Sequence, residues 1–165
     1  MCIRDSTMSG LELYDYLFEI GKEFNVTPGC PHLIERIESA LLSYGNDFDI
    51  NDNPLECGFD KFVNVDSDIE FLGKQKLIEL QKNGVSKKLM GVKIDLDQIN
   101  LSQAIDVTID SKRVGELRSA VYSPTFNQVI AIGMIDKPYF NIGTKINIAI
   151  DNVTHTGTLC NIPFV

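Results

Sequence analysis

The chain has no tryptophan, and only two histidines, His32 and His155, in 165 residues. Neither histidine stands in a pattern with a serine or cysteine that would pair a nucleophile with a base, and there is no GxSxG turn. Four cysteines are present, Cys2, Cys30, Cys57 and Cys160, and no two are spaced as CxxC. A structural zinc site needs closely spaced ligand pairs, so no metal centre is expected. Each cysteine reads instead as a small, partly buried apolar residue. No apolar run reaches the roughly 18 residues of a membrane helix. Basic residues are in deficit, 15 against 23 acidic ones, for a net charge of −8. That surface repels phosphate backbones, so neither nucleic acid nor membrane is an expected partner. The excess acid reads simply as solubility. Without a secretory signal, reduced thiols in a cytoplasm are the expected setting.

What is present is globular. An apolar fraction of 44% is too high for a disordered chain, and the length suits one domain or a small domain plus part of another. The opening "MCIRDST" has no periodicity and no apolar signal-peptide core. Residues 1–8 are therefore taken as a leader foreign to the fold, with the native N-terminus expected elsewhere. From Leu11 to Phe24 the apolar residues Leu13, Tyr14, Leu17, Phe18, Ile20 and Phe24 fall at helical spacing. Ser9 and Glu12 are placed as a capping box, and Asn25 with Thr27-Pro28-Gly29 ends the helix. A second helix is expected from about Pro31, with a buried stripe of Leu33, Ile34, Ile37, Ala40, Leu41 and Tyr44 and a stop at Gly45-Asn46. Arg36 and Glu38 flank that stripe, each about 100° from its centre.

"NDFDINDNPLECG" reads as a linker or irregular surface loop. Its alternating Asp47, Asp49, Asn51 and Asn53 suggest a calcium loop, but the sixth position holds Asp52 instead of glycine and the twelfth holds Gly58 instead of glutamate. "KFVNV" reads as a strand and "FLGKQKLIELQKNG" as a short amphipathic helix. Six short runs follow: "KKLMGVKID", "AIDVTID", "RVGELRSAVYS", "QVIAIGMI", "TKINIAID" and "HTGTLCNI". Asp110-Ser111 and Asp151-Asn152 sit where hairpin turns belong. Short strands at this spacing predict an antiparallel barrel or sandwich. Gly133, alone in a strand, reads as a packing or bulge device. The polar run Arg118, Ser119, Tyr122 and Ser123 before Pro124 could face a ligand cleft, but reads first as a barrel corner satisfying its own backbone.

Several of these pieces together resemble the folate-dependent aminomethyltransferase family, which includes the glycine cleavage T-protein. They are Arg36-Ile37-Glu38 on a helix, Tyr44-Gly45, the acidic stretch Asp47 to Asn53, and Pro54-Leu55-Glu56. "FLGKQKL", "VGELRSAVYSPTFNQVIAIGMI" and the closing "CNIPFV" agree as well, so the resemblance runs from about Leu13 to Val165. It implies an α+β fold: the helical end of a folate-binding domain, residues 9–65, followed by a C-terminal antiparallel β-barrel, residues 66–165. It also implies tetrahydrofolate as cofactor, a small-molecule substrate, and a missing upstream part of the same chain as partner. A homodimer is left open. Where the T-protein has Ala-Arg-Asp this chain has His32-Leu33-Ile34-Glu35, and where it has glycine-leucine and then tryptophan this chain has Cys57-Gly58-Phe59-Asp60. These departures point within the family toward removal of a methyl group from a sulfonium compound, with glycine cleavage and a non-catalytic binding barrel as alternatives. The candidate cofactor-binding residues are Arg36 and Tyr44. Arg36 weighs evenly between a folate contact and an ion pair, through Glu38, holding the helix to the barrel. The Tyr44 ring reads first as core. No catalytic side chain is expected within the chain. Gly10-Leu11-Glu12-Leu13-Tyr14 imitates the family's folate-binding glutamate segment, but its spacing makes Glu12 a first-turn helix residue.

Overall fold

The computed structural model describes residues 9–27, 29 and 32–164. The leader, Cys2, Cys30, Pro28 and the expected helix start at Pro31 lie outside them. The chain divides into two compact units, residues 1–31 and 32–165. In the first, α1 (Gly10–Gly21) continues into a single 3₁₀ turn, Lys22–Phe24. Asn25 ends it in the left-handed region at φ 53°, which asparagine tolerates better than most residues. Val26 folds back over Gly21, where a β-carbon would meet Val26 Cγ2 at 2.8 Å. The expected capping box is absent, because Ser9 makes no side-chain bond to the helix. Tyr14 and Phe18, one turn apart, stack with ring centroids 4.4 Å apart.

The second unit begins with α2 (Leu33–Glu38), capped by His32, whose Nδ1 accepts from the Ile34 amide at 3.3 Å. This helix is shorter than its periodicity predicts. Ala40 takes φ 52°, the Leu41 amide donates to the Arg36 carbonyl at 2.8 Å, and the Ala40 amide donates to the Ile37 carbonyl at 3.0 Å. That pair of bonds is a Schellman termination. Of the predicted stripe only Ile37 is fully buried; Leu33, Leu41 and Tyr44 are exposed. Gly45 turns the loop instead of ending a helix, at φ 87° with its amide on the Phe48 carbonyl.

"KFVNV" forms no strand: Asp60–Phe62 is a 3₁₀ turn. The barrel beyond it is closed, so it presents no free edge for another strand to pair with. The third helix, α3 (Lys74–Asn83), lies between glycines at positive φ, Gly73 and Gly84. The barrel consists of β1 (Lys87–Ile94), β2 (Ile105–Ile109), β3 (Lys112–Ser123), β4 (Gln128–Asp136), β5 (Lys145–Ile150) and β6 (Val153–Cys160). All pairs are antiparallel and close in the order β1-β4-β3-β2-β5-β6. Asp110-Ser111 and Asp151-Asn152 have positive φ at both positions, the backbone of two-residue hairpins whose twist matches the strands.

The unbroken apolar run of β4 has a direct cause: the strand is buried on both faces. Val129, Ala131 and Ile135 point into the barrel with Val92, Val107, Leu117, Ile146, Ile148 and Leu159. Ile130, Ile132 and Met134 point outward against Ile37, Cys57, Leu89 and Phe164. At about 1.5–3 kcal/mol for each large aliphatic side chain removed from water, this outer layer fastens α2, the following loop and the C-terminal segment to β1 and β4. Gly133 keeps β3 and β4 close. It faces Leu117 next to a bulge, and a β-carbon there would come within 2.8 Å of the Glu116 carbonyl oxygen.

Candidate functional site

The polar run of β3 and the acidic loop after α2 meet over the barrel surface. Arg36 leaves α2 with its Nη1 on Asp47 Oδ2 at 2.5 Å and its Nη2 donating to Ser119 Oγ at 3.1 Å. Asp47 is fully buried; its Oδ2 also accepts from the Ser43 amide at 2.7 Å, and its Oδ1 has no partner. Arg118 grips Asp52 with both terminal nitrogens, at 2.5 and 3.4 Å, donates to the Asp47 carbonyl at 3.0 Å, and reaches Glu116 through Nε at 2.9 Å. Lys87 of β1 completes the set on Asp52. Three cations thus face three carboxylates. Burial by itself would raise the Asp52 pKa, but the hydrogen bonds from Arg118 and Lys87 outweigh it and hold the carboxyl at about 2.

Arg36 does not pair with Glu38, as an ion pair through that residue had suggested. Glu38 accepts from the hydroxyls of Ser123 and Thr125, and its backbone carbonyl takes the Phe164 amide at 3.1 Å. Ser123 also accepts from the Phe126 amide at 3.1 Å, so the corner before Pro124 does satisfy its own backbone. Tyr44 is not core. It is 66% exposed, with its ring edge-on to Phe48 at 5.6 Å. Arg36 lines a cleft of about 350 Å³ with Asn46, Gln103, Arg118 and Ser119; Tyr44 is set two residues from Asn46, outside its walls. The acidic stretch, expected as a surface loop, carries side chains of zero exposure at Asp47 and Asp52, because it lies over two arginines. Those two acids are what the sequence reading missed. Their arginine partners include one 66 residues further along the chain, and no local pattern marks such a pairing.

Cys57 is buried. Burial first, then the nearby negative Asp52 and Glu56, push its thiol up to about 11, and burial raises Cys160 as well. Among the described residues no cluster of three or more histidines, cysteines or acids could hold a metal ion, and no helix is long and apolar enough to cross a membrane.

Residues 87–165, the six strands and the segment closing them, match the family of the glycine cleavage T-protein C-terminal barrel domain. Over 139 residues the chain is 39% identical to dimethylsulfoniopropionate demethylase of Ruegeria pomeroyi, covering 84% of this chain and 38% of the relative. It is 34% identical to an aminomethyltransferase of Clostridium botulinum, with the same coverage, and 31% identical to one of Thermoanaerobacter pseudethanolicus, covering 86% and 39%. The chain therefore spans little more than a third of the length of these relatives. The crystal structure of glycine cleavage system aminomethyltransferase T from Bartonella henselae superposes with a TM-score of 0.72 at 22% identity, over 79% of this chain and 37% of that one. At that identity the likeness speaks for the fold.

Proposed function

We propose that this chain is the C-terminal portion of a tetrahydrofolate-dependent enzyme that takes a methyl group from dimethylsulfoniopropionate. Residues 9–65 belong in this reading to the folate-binding part and residues 66–165 to the barrel. The observation that carries it is the 39% identity to the demethylase, against 34% and 31% to the aminomethyltransferases at matching coverage. His32 to Glu35 and Cys57 to Asp60, which depart from the T-protein pattern, point the same way. An aminomethyl donor is the second reading, favoured by the relatives that carry that activity in their names.

The chemistry asks little of this part of the molecule. A sulfonium methyl group is electrophilic by itself, so the protein's task is to hold acceptor and donor in line at reacting distance. The cleft donors fit one polar edge of a folate. Arg36 has five N–H groups in a fixed fork, only some of them used by Asp47 and Ser119. Arg36 would hold a carbonyl or carboxylate oxygen there, with Tyr44 as the nearby exposed aromatic surface. When bound, tetrahydrofolate supplies the nitrogen that accepts the methyl group. The rest of the protein supplies the remaining walls, in a reducing cytoplasm where Cys57 and Cys160 stay as free thiols.

The test is a clone extended to the length of the relatives, assayed with tetrahydrofolate and either dimethylsulfoniopropionate or a glycine-derived aminomethyl donor. Methyl loss from the sulfonium alone is the expected result; turnover of only the aminomethyl donor selects the second reading. Arg36→Met combined with Asp47→Leu removes the buried pair as a unit, which is often near neutral for stability. In the extended enzyme it should raise the KM for tetrahydrofolate about tenfold or more, the loss of one charge-assisted contact. An unchanged KM would make Arg36 purely structural.

A further inference from the structure

A second groove, sharing no lining residue with the Arg36 cleft, opens where the turn after α2, the 3₁₀ segment at 60–62 and the end of the β1–β4 pair come together. Its volume is about 930 Å³, within the range of small-molecule sites, which are mostly apolar with a few placed polar groups. The floor is apolar: Leu42, Phe59, Leu89, Met90, Phe140 and Ile162. The charged groups on its walls are Lys61, Lys88, Lys137 and a single acid, Asp60.

Three lysines line this one groove in a chain of net charge −8. Lys88 pairs in register with Ile135, and the Lys137 amide donates to the Ser86 carbonyl at 2.8 Å. Lys88 of β1 and Lys137, one residue past the end of β4, are therefore diagonal neighbours on one face of the paired backbone, a spacing that long side chains can bridge. Seven other basic side chains are committed to ion pairs: Lys22, Arg36, Lys74, Lys76, Lys87, Arg113 and Arg118. Among the described residues, Lys61, Lys88 and Lys137 of the groove, like Lys82 and Lys93 outside it, form neither an ion pair nor a side-chain hydrogen bond; Lys61 Nζ stands 5.0 Å from the centre of the Phe62 ring. All three are exposed.

We propose that this groove binds an amphipathic organic anion, its apolar body on the Phe59–Met90–Phe140 floor and its carboxylate or sulfonate between Lys88 and Lys137. An apolar floor alone would take any hydrophobe. The uncompensated lysine pair selects for charge, and charge-assisted contacts beside a desolvated apolar surface are the stronger kind.

The experiment uses the 165-residue chain and 1-anilinonaphthalene-8-sulfonate, an aromatic monoanion, followed by fluorescence, with decanoate as a competitor. One saturable site is expected, displaced by decanoate. Lys88→Gln and Lys137→Gln should each weaken it about tenfold, as loss of one charged contact would. Lys145→Gln, a lysine outside the groove, should leave it unchanged. A thermal melt of each variant separates lost binding from lost fold, and because both groove lysines are exposed, either variant alone decides. Equal affinity in Lys88→Gln, Lys137→Gln and Lys145→Gln overturns the proposal, as does the lack of any saturable site below about 1 mM. Because the Arg36 cleft shares no residue with this groove, neither result bears on the folate reading.

Discussion

At the scale of single residues the seam between the acidic loop and the barrel turns on Asp52. Its carboxylate is wholly inside and is held by Arg118 and Lys87, so each partner's burial depends on the others. Its pKa lies at about 2 in the fold, below the ordinary 3.8. A depressed folded-state value stabilises the protein above the unfolded pKa. That contribution, about 2 kcal/mol for a shift of this size, is complete above roughly pH 5 and is lost as the pH falls toward about 2. Asp52→Asn leaves two cations facing a neutral amide, and the expected cost at neutral pH is about 3 kcal/mol. The signature is in the acid limb: urea unfolding at about pH 2.5 should show a much smaller difference between variant and parent than at pH 7. An equal difference at both pH values would remove Asp52 from the account of acid stability. Cys57 shows the opposite effect of burial. With its thiol pushed up to about 11, it stays protonated and packs as an apolar residue in the layer with Ile37 and Phe164.

At the scale of elements, α2 is where pattern and structure part. The apolar spacing from Leu33 to Tyr44 is helical, yet the helix stops at Glu38. Propensity is a weak constraint over so short a stretch, and the chain gains more by turning back to lay Asp47 and Asp52 on Arg36 and Arg118. The turn is closed by Ala40 in the left-handed region, where a β-carbon costs roughly 1–2 kcal/mol. Ala40→Gly should therefore raise stability by about 0.5–1 kcal/mol, the remainder offset by the greater freedom of glycine in the unfolded chain. A shift of the urea midpoint upward at unchanged slope is the measurement; no shift, or a fall, would mean that the Schellman turn carries no strain. The strands were far more legible. Period-two runs between Asp-Ser and Asp-Asn turns need only local information, and both turns adopt the positive φ values that hairpins demand. The candidate site was legible at Arg36, because the resemblance marks it, and on β3, whose polar run stands out. Tyr44 was misplaced because a helix that ends early moves every later residue off the expected face. Asp47 and Asp52 were hidden because a buried acid and a solvated one look alike until their arginines are in place.

At the scale of the whole molecule, closure decides what the chain can do. Six strands pair all the way round, which leaves no edge for aggregation or strand addition, and α2 with the acidic loop and the C-terminal segment is held to the outside of β1 and β4 by apolar packing, with ion pairs from Asp52 to Arg118 of β3 and Lys87 of β1. Holding a fold is different from assembling a reaction. The cleft at Arg36 measures about 350 Å³, at the low end for even one small ligand, whereas methyl transfer requires a folate and a donor held together in line. Its walls offer two arginines, two serines and two side-chain amides, and both guanidiniums are already partly spent on Asp47 and Asp52. The 165-residue chain on its own should therefore melt cooperatively and show no tetrahydrofolate-dependent loss of methyl from dimethylsulfoniopropionate, while the clone extended to the relatives' length should turn over. The short and the extended protein are to be assayed side by side, with methyl transfer measured by product formation and folding by calorimetry. Turnover by the short chain would place the whole reaction on these helices and this barrel, and the division of labour argued from the size of the cleft would have to be abandoned.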